Sequence, residues 1–365
     1  MSFWSPIMYV IQRVATYYTY KSWNKERMRR VYEIDRYWQK KEKKVPIDLD
    51  ESQKRAVKEF WDRYSFAYKN NIRTQKYFTY ITGEFSPAYI SEGLNAAYMY
   101  RFYDSPQYHQ AFHDKNYREL LFGEEHCTKA VIRRISKYYF TGDRTPISYN
   151  AAIDLLAKVL KTEKKLIVKP TPGGGGSNIQ FLRDGFEKRE IRLVLDHFTK
   201  DDLIIEKILK SHSSYSVANS TSLNSLRIIT LLYEHEVTVL AILFRMGAVG
   251  KEVDNFTQGG VACGVNLDGT CMDYGFDHFG NRYDRHPNGF EFAGHHLYGV
   301  DKAVEFCKNL HWRIPQFKQM SWDVAISEDG KPVLVEMNPR GEAKIYQSIG
   351  AQPYGKYTKQ ILDEY

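Results

Sequence analysis

The strongest constraint on the fold of this chain is a hairpin signal near its carboxyl end. Two apolar runs, Trp322–Ser327 and Pro332–Met337, flank Asp329-Gly330, a dipeptide that favours a two-residue β-turn. A loop of two residues fixes the register of the strands on either side of it. One face of the hairpin is then wholly apolar, as a core face should be, and it consists of three cross-strand pairs: Ile326 with Val333, Val324 with Val335, and Trp322 with Met337.

The opposite face of the same hairpin is polar and acidic. The register places Asp323 opposite Glu336, and Ser321 opposite Asn338, so two carboxylates have Cβ atoms roughly 4.5–5.5 Å apart. Like charges opposed in this way destabilise a sheet unless something neutralises them. A Mg²⁺ ion would do so, because it binds a carboxylate or two together with substrate phosphates. A solvated polar face, or one proton shared by the two carboxyls, is the alternative interpretation.

A run of glycines is the second feature with chemical meaning. Leu166–Lys169 predicts a strand, Asn178–Leu182 predicts the returning strand, and the loop between them contains Gly173, Gly174, Gly175 and Gly176. Backbone N–H groups of consecutive glycines can approach phosphate oxygens closely, and Lys169 at the root of the loop adds a positive charge. The loop is not a Walker A motif, because no Gly-Lys-Ser/Thr follows it. For the glycines alone, a flexible hairpin tip is the simpler interpretation.

The rest of the chain after about residue 109 alternates helices with β-branched runs. Leu226–Tyr233 and Val237–Met246 predict two long strands that meet near residues 234–236, and Val300–Leu310 predicts a helix. Because the strands are joined by short turns, we predict an α+β chain built on antiparallel sheets.

Residues 1–108 have a different composition, rich in Tyr, Trp, Phe, Lys and Arg and poor in Gly. Residues 1–44 hold eleven basic and four acidic residues, a net +7 out of +8 for the whole chain. Lys21–Lys44 predicts an exposed basic helix, and Asp50 or Ser52 is the expected cap of the next helix. The basic segment is either a solvated helix packed on the rest of the protein or a contact for nucleic acid or an anionic membrane.

Composition excludes several classes of protein. No apolar stretch approaches the roughly 20 residues that a membrane-spanning helix needs. The amino-terminal segment lacks the pattern of a secretory signal, so we expect a cytoplasmic protein. A zinc site or a disulfide framework is not expected, because no Cys-x-x-Cys pair occurs among the four cysteines, Cys127, Cys263, Cys271 and Cys307.

Taken together, the motifs resemble those of the ATP-grasp superfamily, with an order and spacing similar to the D-alanine ligase and biotin carboxylase families. They are Lys169-Pro170 before the glycine loop, Ile205-Glu206-Lys207-Ile208 after it, and Asp323 with Glu336-Met337-Asn338. The likeness covers about residues 110 to 350. Within the superfamily the chain resembles the sugar-transfer-associated ATP-grasp family of bacterial polysaccharide loci. The segments that carry this resemblance are Leu223–Thr230, Phe244–Gly247, Val253–Phe256, Gly259-Gly260, His286-Pro287 and Ser321–Asp323.

The resemblance implies two α/β lobes that clamp ATP on antiparallel sheets. Residues 1–108 depart from the family pattern, because they predict a mainly helical region instead of the usual α/β preceding domain. We accordingly predict a boundary near residue 108, with a catalytic domain at 109–365 whose lobes span about 109–202 and 203–365. Two departures from the D-alanine ligase pattern are visible. Ser321 stands where that pattern has an arginine, and no carboxylate occurs in Ser211–Ser214, where a ribose-binding acid is expected.

The resemblance also implies roles for individual residues. Lys115 and Lys169 would reach the phosphates of ATP under the lid formed by the glycine loop. The hinge that reads adenine, mostly through backbone groups, would be Glu206, Lys207 and Ile208. One or two Mg²⁺ ions would be held by Asp323, Glu336 and Asn338. An anionic intermediate would be steadied by Arg227, Arg245 and Arg340, for which structural ion pairs are the alternative. Arg227 and Arg245 lie at the same end of the predicted long hairpin, away from its turn, so we expect them to be neighbours.

The implied activity is that of an ADP-forming carboxylate–amine ligase, which makes an amide through an acyl phosphate. The family context implies bacterial surface polysaccharide (capsule or O-antigen) biosynthesis, with a sugar acid and an amino acid as expected substrates. Two alternatives stay open: a phosphotransferase that uses the same ATP site, and a catalytically inactive module that binds polyanions. No nucleic-acid partner is expected, and a contact of the basic amino-terminal segment with the inner face of the membrane or a biosynthetic complex is left open.

Overall fold

The computed structural model describes residues 25–40, 44–64, 72–99, 108–171, 178–198, 201–339 and 342–364. The chain divides into two units, Met1–Tyr103 with Glu342–Tyr365, and Asp104–Gly341. Among the described residues, no helix has both the length and the apolarity needed to cross a bilayer.

A six-stranded antiparallel sheet forms the first half of the unit Asp104–Gly341. Its strands are β1 (Ala130–Ile135), β2 (Tyr138–Thr141), β3 (Pro146–Ile147), β4 (Lys165–Pro170), β5 (Gln180–Arg183) and β6 (Leu203–Lys207). Their order in the sheet is β3-β2-β1-β6-β4-β5. The predicted lobe boundary after residue 202 separates β6 from this sheet, whereas β6 pairs with both β1 and β4. The prediction failed here because long-range strand pairing leaves no local mark in the sequence.

Two helices cover this sheet, Tyr149–Glu163 and Lys188–His197. The first helix begins at Ser148, whose side chain accepts a hydrogen bond from the backbone N–H of Ala151. Buried apolar side chains of both helices form one core with the apolar residues of the strands, including Leu156, Leu166 and Ile205. This core supports the strands that carry Lys169 and Glu206.

A seven-stranded antiparallel sheet forms the second half of the same unit. Its strands are β7 (Ser225–Tyr233), β8 (Glu236–Met246), β9 (Val261–Val265), β10 (Cys271–Asp277), β11 (Arg282–Tyr283), β12 (Gln319–Ile326) and β13 (Pro332–Asn338). Their order is β11-β10-β9-β8-β7-β12-β13. The predicted pair of long strands is confirmed as β7 and β8, which turn at Glu234 and His235 with positive φ at both residues.

The helix Val300–His311 confirms another prediction and packs on the seven-stranded sheet. Its buried residues Ala303, Cys307 and Leu310 join Trp322 of β12 in the largest apolar core of this unit. Shorter helical segments occupy the connections: His109–His113, Arg118–Phe122, Glu124–His126, Ser213–Ser216 and Phe256–Gln258.

The other unit is helical, and it is built from both ends of the chain. Its helical segments are 25–40, Glu51–Asp62, Ile72–Thr82, Glu92–Leu94 with Asn95–Met99, Ala343–Gln347, Gly355–Tyr357 and Thr358–Asp363. The predicted cap Asp50 is confirmed, because its side chain accepts from the backbone N–H of Gln53. The predicted basic helix is confirmed over 25–40. Of its other predicted residues, 21–24 and 41–43 lie outside the described part of the chain, and Lys44 is not helical.

Residues 342–364 therefore differ from the prediction, which assigned them to the catalytic domain. The side-chain amide of Gln347 donates to the backbone carbonyl of Ile90 at 2.9 Å and accepts from the backbone N–H of Ile90 at 2.8 Å. Tyr354 donates to the side chain of Asn95 at 3.1 Å. These buried contacts fix the carboxyl-terminal helices to the amino-terminal ones. The prediction missed them because it divided the chain into domains that follow one another in sequence.

Candidate active site

Strands β12 and β13 bring three of the predicted site residues together. Asp323 lies directly opposite Glu336, and Ser321 lies opposite Asn338, as the sequence register predicts. The residues on either side of Asp323 are buried in the core beneath the sheet. The hairpin therefore presents two carboxylates and an amide on its polar face.

The turn of this hairpin differs from the prediction. The backbone N–H of Ser327 donates to the carbonyl of Lys331 at 2.9 Å, and the N–H of Gly330 donates to the carbonyl of Ser327 at 2.8 Å. The loop thus has three residues rather than two, with Gly330 at φ +77°. The two-residue turn was wrong, and as a result Ile326 pairs with Pro332 rather than with the residue after it.

A β-bulge restores the register before the site is reached. The pairing shifts by one residue between Asp323 and the residue after it, so Val335 is the extra residue on β13. Without this bulge, a three-residue turn would place Glu336 opposite Trp322, on the core face. The bulge therefore keeps the second carboxylate opposite the first.

Two arginines occupy both oxygens of Asp323. Arg227 donates from Nε to Oδ1 at 2.7 Å and from Nη2 to Oδ2 at 2.8 Å, and Arg245 donates from Nη1 to Oδ2 at 2.8 Å. Burial raises the pKa of Asp323, but the two guanidinium charges outweigh burial and lower the pKa to about 2. The prediction that Arg227 and Arg245 are neighbours is confirmed, and Asp323 is the group that joins them.

Arg245 also contacts the loop that follows β8. Its Nη2 donates to the backbone carbonyl of Asp254 at 3.0 Å, while its Nε is buried and makes no hydrogen bond. Burial raises the pKa of the Asp254 carboxyl, and the nearby Arg245 charge offsets only part of that effect. The guanidinium of Arg245 thus keeps an unused donor beside the carboxylate pair.

Glu336 has an unused carboxylate oxygen, the kind of atom that binds a cation, and Asn338 has an unused amide N–H, the kind of group that donates to a phosphate oxygen. Oε1 of Glu336 lies 3.3 Å from Nζ of Lys115, but it makes no hydrogen bond, and neither does the buried amide nitrogen of Asn338. In the part of the chain that the structure describes, no three His, Cys, Asp or Glu side chains are grouped as a metal site. A cation here would depend on these two residues with Asp323 and on oxygens of a bound phosphate, a set that fits Mg²⁺.

Lys169 and Glu206 form the second part of the site. Glu206 is fully buried and accepts from Nζ of Lys169 at 2.7 Å, from Nη2 of Arg118 at 2.6 Å and from the hydroxyl of Thr128. Burial raises the pKa of Glu206, but the Lys169 and Arg118 charges outweigh burial and lower the pKa to about 2. Glu206 therefore anchors the lysine that the sequence assigns to the phosphates.

A family model described as sugar-transfer associated ATP-grasp matches residues 94–353. The chain belongs to this ATP-grasp family. No curated protein sequence matches it.

Solved structures with a similar backbone include synthetases and ligases of low sequence identity. D-cycloserine synthetase DcsG has 11% identity, with 69% of this chain and 70% of that chain covered and a TM-score of 0.43. The L-amino acid ligase from Bacillus licheniformis has 15% identity, coverage of 69% and 48%, and a TM-score of 0.39. D-alanyl-alanine synthetase A from Vibrio cholerae O1 has 10% identity, coverage of 69% and 64%, and a TM-score of 0.42. At this distance the likenesses identify no substrate for this ATP-grasp protein.

Other predicted residues of this ATP-grasp protein lie at the margins of the site. Ile208, which directly follows β6, is 37% exposed, and Lys207 pairs with Glu163 at 2.5 Å. Two predictions lie outside the described residues: the glycine loop of Gly173, Gly174, Gly175 and Gly176, and Arg340.

The sequence reasoning missed Arg118 and Thr128. Both are buried and both contact Glu206. The only sequence signal was that Arg118 follows Lys115 by three residues, which is one helical turn.

Proposed function

We propose that this protein is an ATP- and Mg²⁺-dependent carboxylate–amine ligase that forms an amide and ADP. The observation that carries the proposal is the opposed pair of Asp323 and Glu336, with Lys115 beside Glu336. A second lysine, Lys169, is held by the buried carboxylate of Glu206 in the same unit. Opposed carboxylates next to lysines fit the γ-phosphate end of ATP, and family membership supports the same assignment.

In the proposed reaction a substrate carboxylate oxygen attacks the γ-phosphorus of ATP, and the bond to the β-phosphate oxygen breaks. The acyl phosphate then reacts with an amine, which loses a proton as phosphate leaves. Lys115 and Lys169 stabilise charge on the transferring phosphoryl group. Bound Mg²⁺, held by Glu336 and Asn338 with Asp323, would neutralise the β- and γ-phosphates.

The arginine pair is proposed to act on the carboxylate substrate. Arg227 and Arg245 are fixed by the same carboxylate, so they keep a constant separation without a ligand. Arg245 has an unused buried donor in Nε. Preorganised donors of this kind stabilise negative charge that develops during acyl transfer. Arg340 is proposed as a third member on the basis of family resemblance alone.

The proposed setting is the synthesis of bacterial surface polysaccharide in the cytoplasm. The description of the family, which links it to sugar transfer, supports this setting. A sugar acid and an amino acid are the proposed substrate pair. The helix 25–40 has five exposed basic residues that would contact an anionic partner: Lys25, Arg29, Arg30, Arg36 and Lys40.

Calorimetric titration with Mg²⁺ and a non-hydrolysable ATP analogue tests the nucleotide site. We expect binding that depends on the metal in the wild type and in Glu328→Gln, an exposed carboxylate of the same hairpin turn. Glu336→Gln should lose the metal dependence while the protein stays folded. Absence of any binding to the wild-type protein contradicts the proposal and favours a polyanion-binding module.

Screening carboxylate and amine pairs for ADP release then tests the reaction class. We expect ADP to appear only when both substrates are present. A phosphorylated product that forms without any amine would instead identify a phosphotransferase.

A further inference from the structure

Strand β13 lies at the edge of its sheet, and the segment 115–128 holds it there. Three successive residues of the strand are contacted by three residues of that segment: Leu334 by a backbone bridge from Cys127, Val335 by Arg118, and Glu336 by Lys115. The side of β13 that has no strand neighbour is therefore covered at the point where the site residues begin.

The central contact of the three falls on the bulge. Val335 is the extra residue on β13, so its backbone has no cross-strand partner on β12. Val335 is half-buried, and a carbonyl shielded from water without a partner costs up to about 1–3 kcal/mol. Nη1 of Arg118 donates to this carbonyl, and the Arg118 side chain is only 2% exposed. Arg118 thus supplies a hydrogen bond to the Val335 carbonyl, which the bulge leaves without a cross-strand partner.

The other end of the same guanidinium reaches the phosphate lysine through one carboxylate. Nη2 of Arg118 donates to Glu206 at 2.6 Å and to the hydroxyl of Thr128 at 2.7 Å. Glu206 in turn accepts from Lys169 at 2.7 Å. Burial lowers the pKa of Arg118, but the charge of Glu206 outweighs burial and raises the pKa, so the guanidinium stays charged. One side chain therefore connects the six-stranded sheet with the edge of the seven-stranded sheet.

We infer that Arg118 is a positioning residue that sets Glu336 opposite Asp323 by fixing the bulge, and sets Lys169 relative to both through Glu206. The inference rests on the proposed function, in which Glu336 contributes to a cation site and Lys169 contacts phosphate. Because a guanidinium has donors on two arms, it can satisfy the Val335 carbonyl and the Glu206 carboxylate together. A lysine has one nitrogen and cannot span both groups.

If Arg118 had only a structural role, its replacement would have the same effect as replacement of another buried arginine of this unit. Arg134 on β1 provides that comparison, because it is 7% exposed and donates to the backbone carbonyls of Leu195, Phe198 and Asp201. It contacts none of the proposed site residues in these bonds. Arg118→Lys and Arg134→Lys therefore both remove buried hydrogen bonds of a guanidinium. Only those of Arg118 involve residues next to the proposed cation site.

The experiment measures binding of the ATP analogue to the full chain with and without Mn²⁺, together with the electron paramagnetic resonance spectrum of bound Mn²⁺. In Arg118→Lys we expect the metal-dependent gain in affinity to fall about tenfold and the bound Mn²⁺ spectrum to change, as when a group that supports a metal ligand is lost. In Arg134→Lys both should match the wild type. Thr128→Val, an isosteric change of the hydroxyl that binds Arg118, should reduce the gain about threefold, because one hydrogen bond to Arg118 is lost.

The outcomes separate the inference from the proposed function. An unchanged metal-dependent gain in Arg118→Lys or, if that variant does not fold, in Thr128→Val overturns the inference. Equal losses in the Arg118 and Arg134 variants also overturn it, because they show a general loss of structure. No metal-dependent gain in the wild type contradicts the proposed function itself.

Discussion

At the scale of single residues, the buried carboxylate of Asp323 and the half-buried carboxylate of Glu336 differ in what surrounds them. Both oxygens of Asp323 accept from arginines, whereas Oε1 of Glu336 lies beside a lysine and makes no hydrogen bond. Cross-strand pairing of the two was predicted from a two-residue turn, and it holds because a bulge offsets the extra residue of the real turn. The partners of Asp323 could be predicted only as neighbours of each other, because side-chain hydrogen bonds depend on the packed sheet.

Replacement of Lys169 by methionine should weaken binding of an ATP analogue about 10- to 100-fold, the loss of one charge-assisted hydrogen bond to a phosphate. The fold should survive, because Glu206 keeps Arg118 as a buried counter-charge. Calorimetry against the analogue checks the affinity. Lys165→Met on the same strand is the control, since Lys165 pairs with Glu252 instead. Unchanged affinity in the Lys169 variant would remove this lysine from the site.

The depressed pKa of Glu206 predicts acid sensitivity. The folded-state pKa is about 2, below the ordinary value of 4.5. The unfolded chain therefore takes up a proton first as the pH falls. Ionised Glu206 therefore adds about 3 kcal/mol to the free energy of unfolding. This contribution is complete above about pH 4.5 and is lost as the pH falls toward 2.

Urea unfolding at pH 5 and pH 3 checks this prediction. The free energy of unfolding should fall less between these pH values in Glu206→Gln than in the wild type, although the variant is less stable at pH 5 because two buried cations lose their partner. Glu163→Gln removes an ion pair that is partly exposed and should leave the pH dependence unchanged. A Glu206 variant with the wild-type pH dependence would contradict the assignment.

At the scale of elements, the hairpin of β12 and β13 was predicted correctly at the site and wrongly at its turn. The turn and the bulge each shift the pairing by one residue, in opposite directions, so the two differences cancel at Asp323. The Ser327 hydroxyl accepts from the N–H of Lys331 at 3.2 Å and donates to its carbonyl at 2.9 Å, which stabilises the longer turn. A bulge has no comparable local signal, since it depends on Arg118 from elsewhere in the chain.

The three-residue turn predicts a specific cost for Gly330→Ala. Gly330 has φ +77°, and an added Cβ would lie 2.7 Å from the ring of Tyr298. Gly289 is a matched control, because it has φ +96° and open space around it. We expect a loss of about 2 kcal/mol in unfolding free energy for Gly330→Ala and about 1 kcal/mol for Gly289→Ala. Denaturant unfolding checks both, and equal losses would show that the Tyr298 contact carries no cost.

At the scale of the whole molecule, the two units are not consecutive stretches of sequence, because one of them combines Met1–Tyr103 with Glu342–Tyr365. The family match at 94–353 extends beyond the unit Asp104–Gly341 at both ends. Composition correctly predicted helices in the amino-terminal region, because Tyr, Lys and Arg are common there and Gly is rare. It could not predict that residues 342–364 complete this region, since that pairing joins the two ends of the chain.

In the helical unit, one glutamine joins the amino-terminal segment of the chain to the carboxyl-terminal segment. Gln347 is fully buried and bonds both backbone groups of Ile90, which is itself buried. Gln347→Leu should therefore leave a buried N–H and a buried carbonyl without partners, at a cost of about 2–4 kcal/mol. Hydrogen exchange read by mass spectrometry should show lost protection over residues 72–99, whereas affinity for the ATP analogue should stay within about twofold. Gln352→Leu is the control, because its partner Ser86 is bonded at 3.2 Å in a partly exposed position. Full protection of 72–99 in the Gln347 variant would mean that the carboxyl-terminal helices do not stabilise this unit.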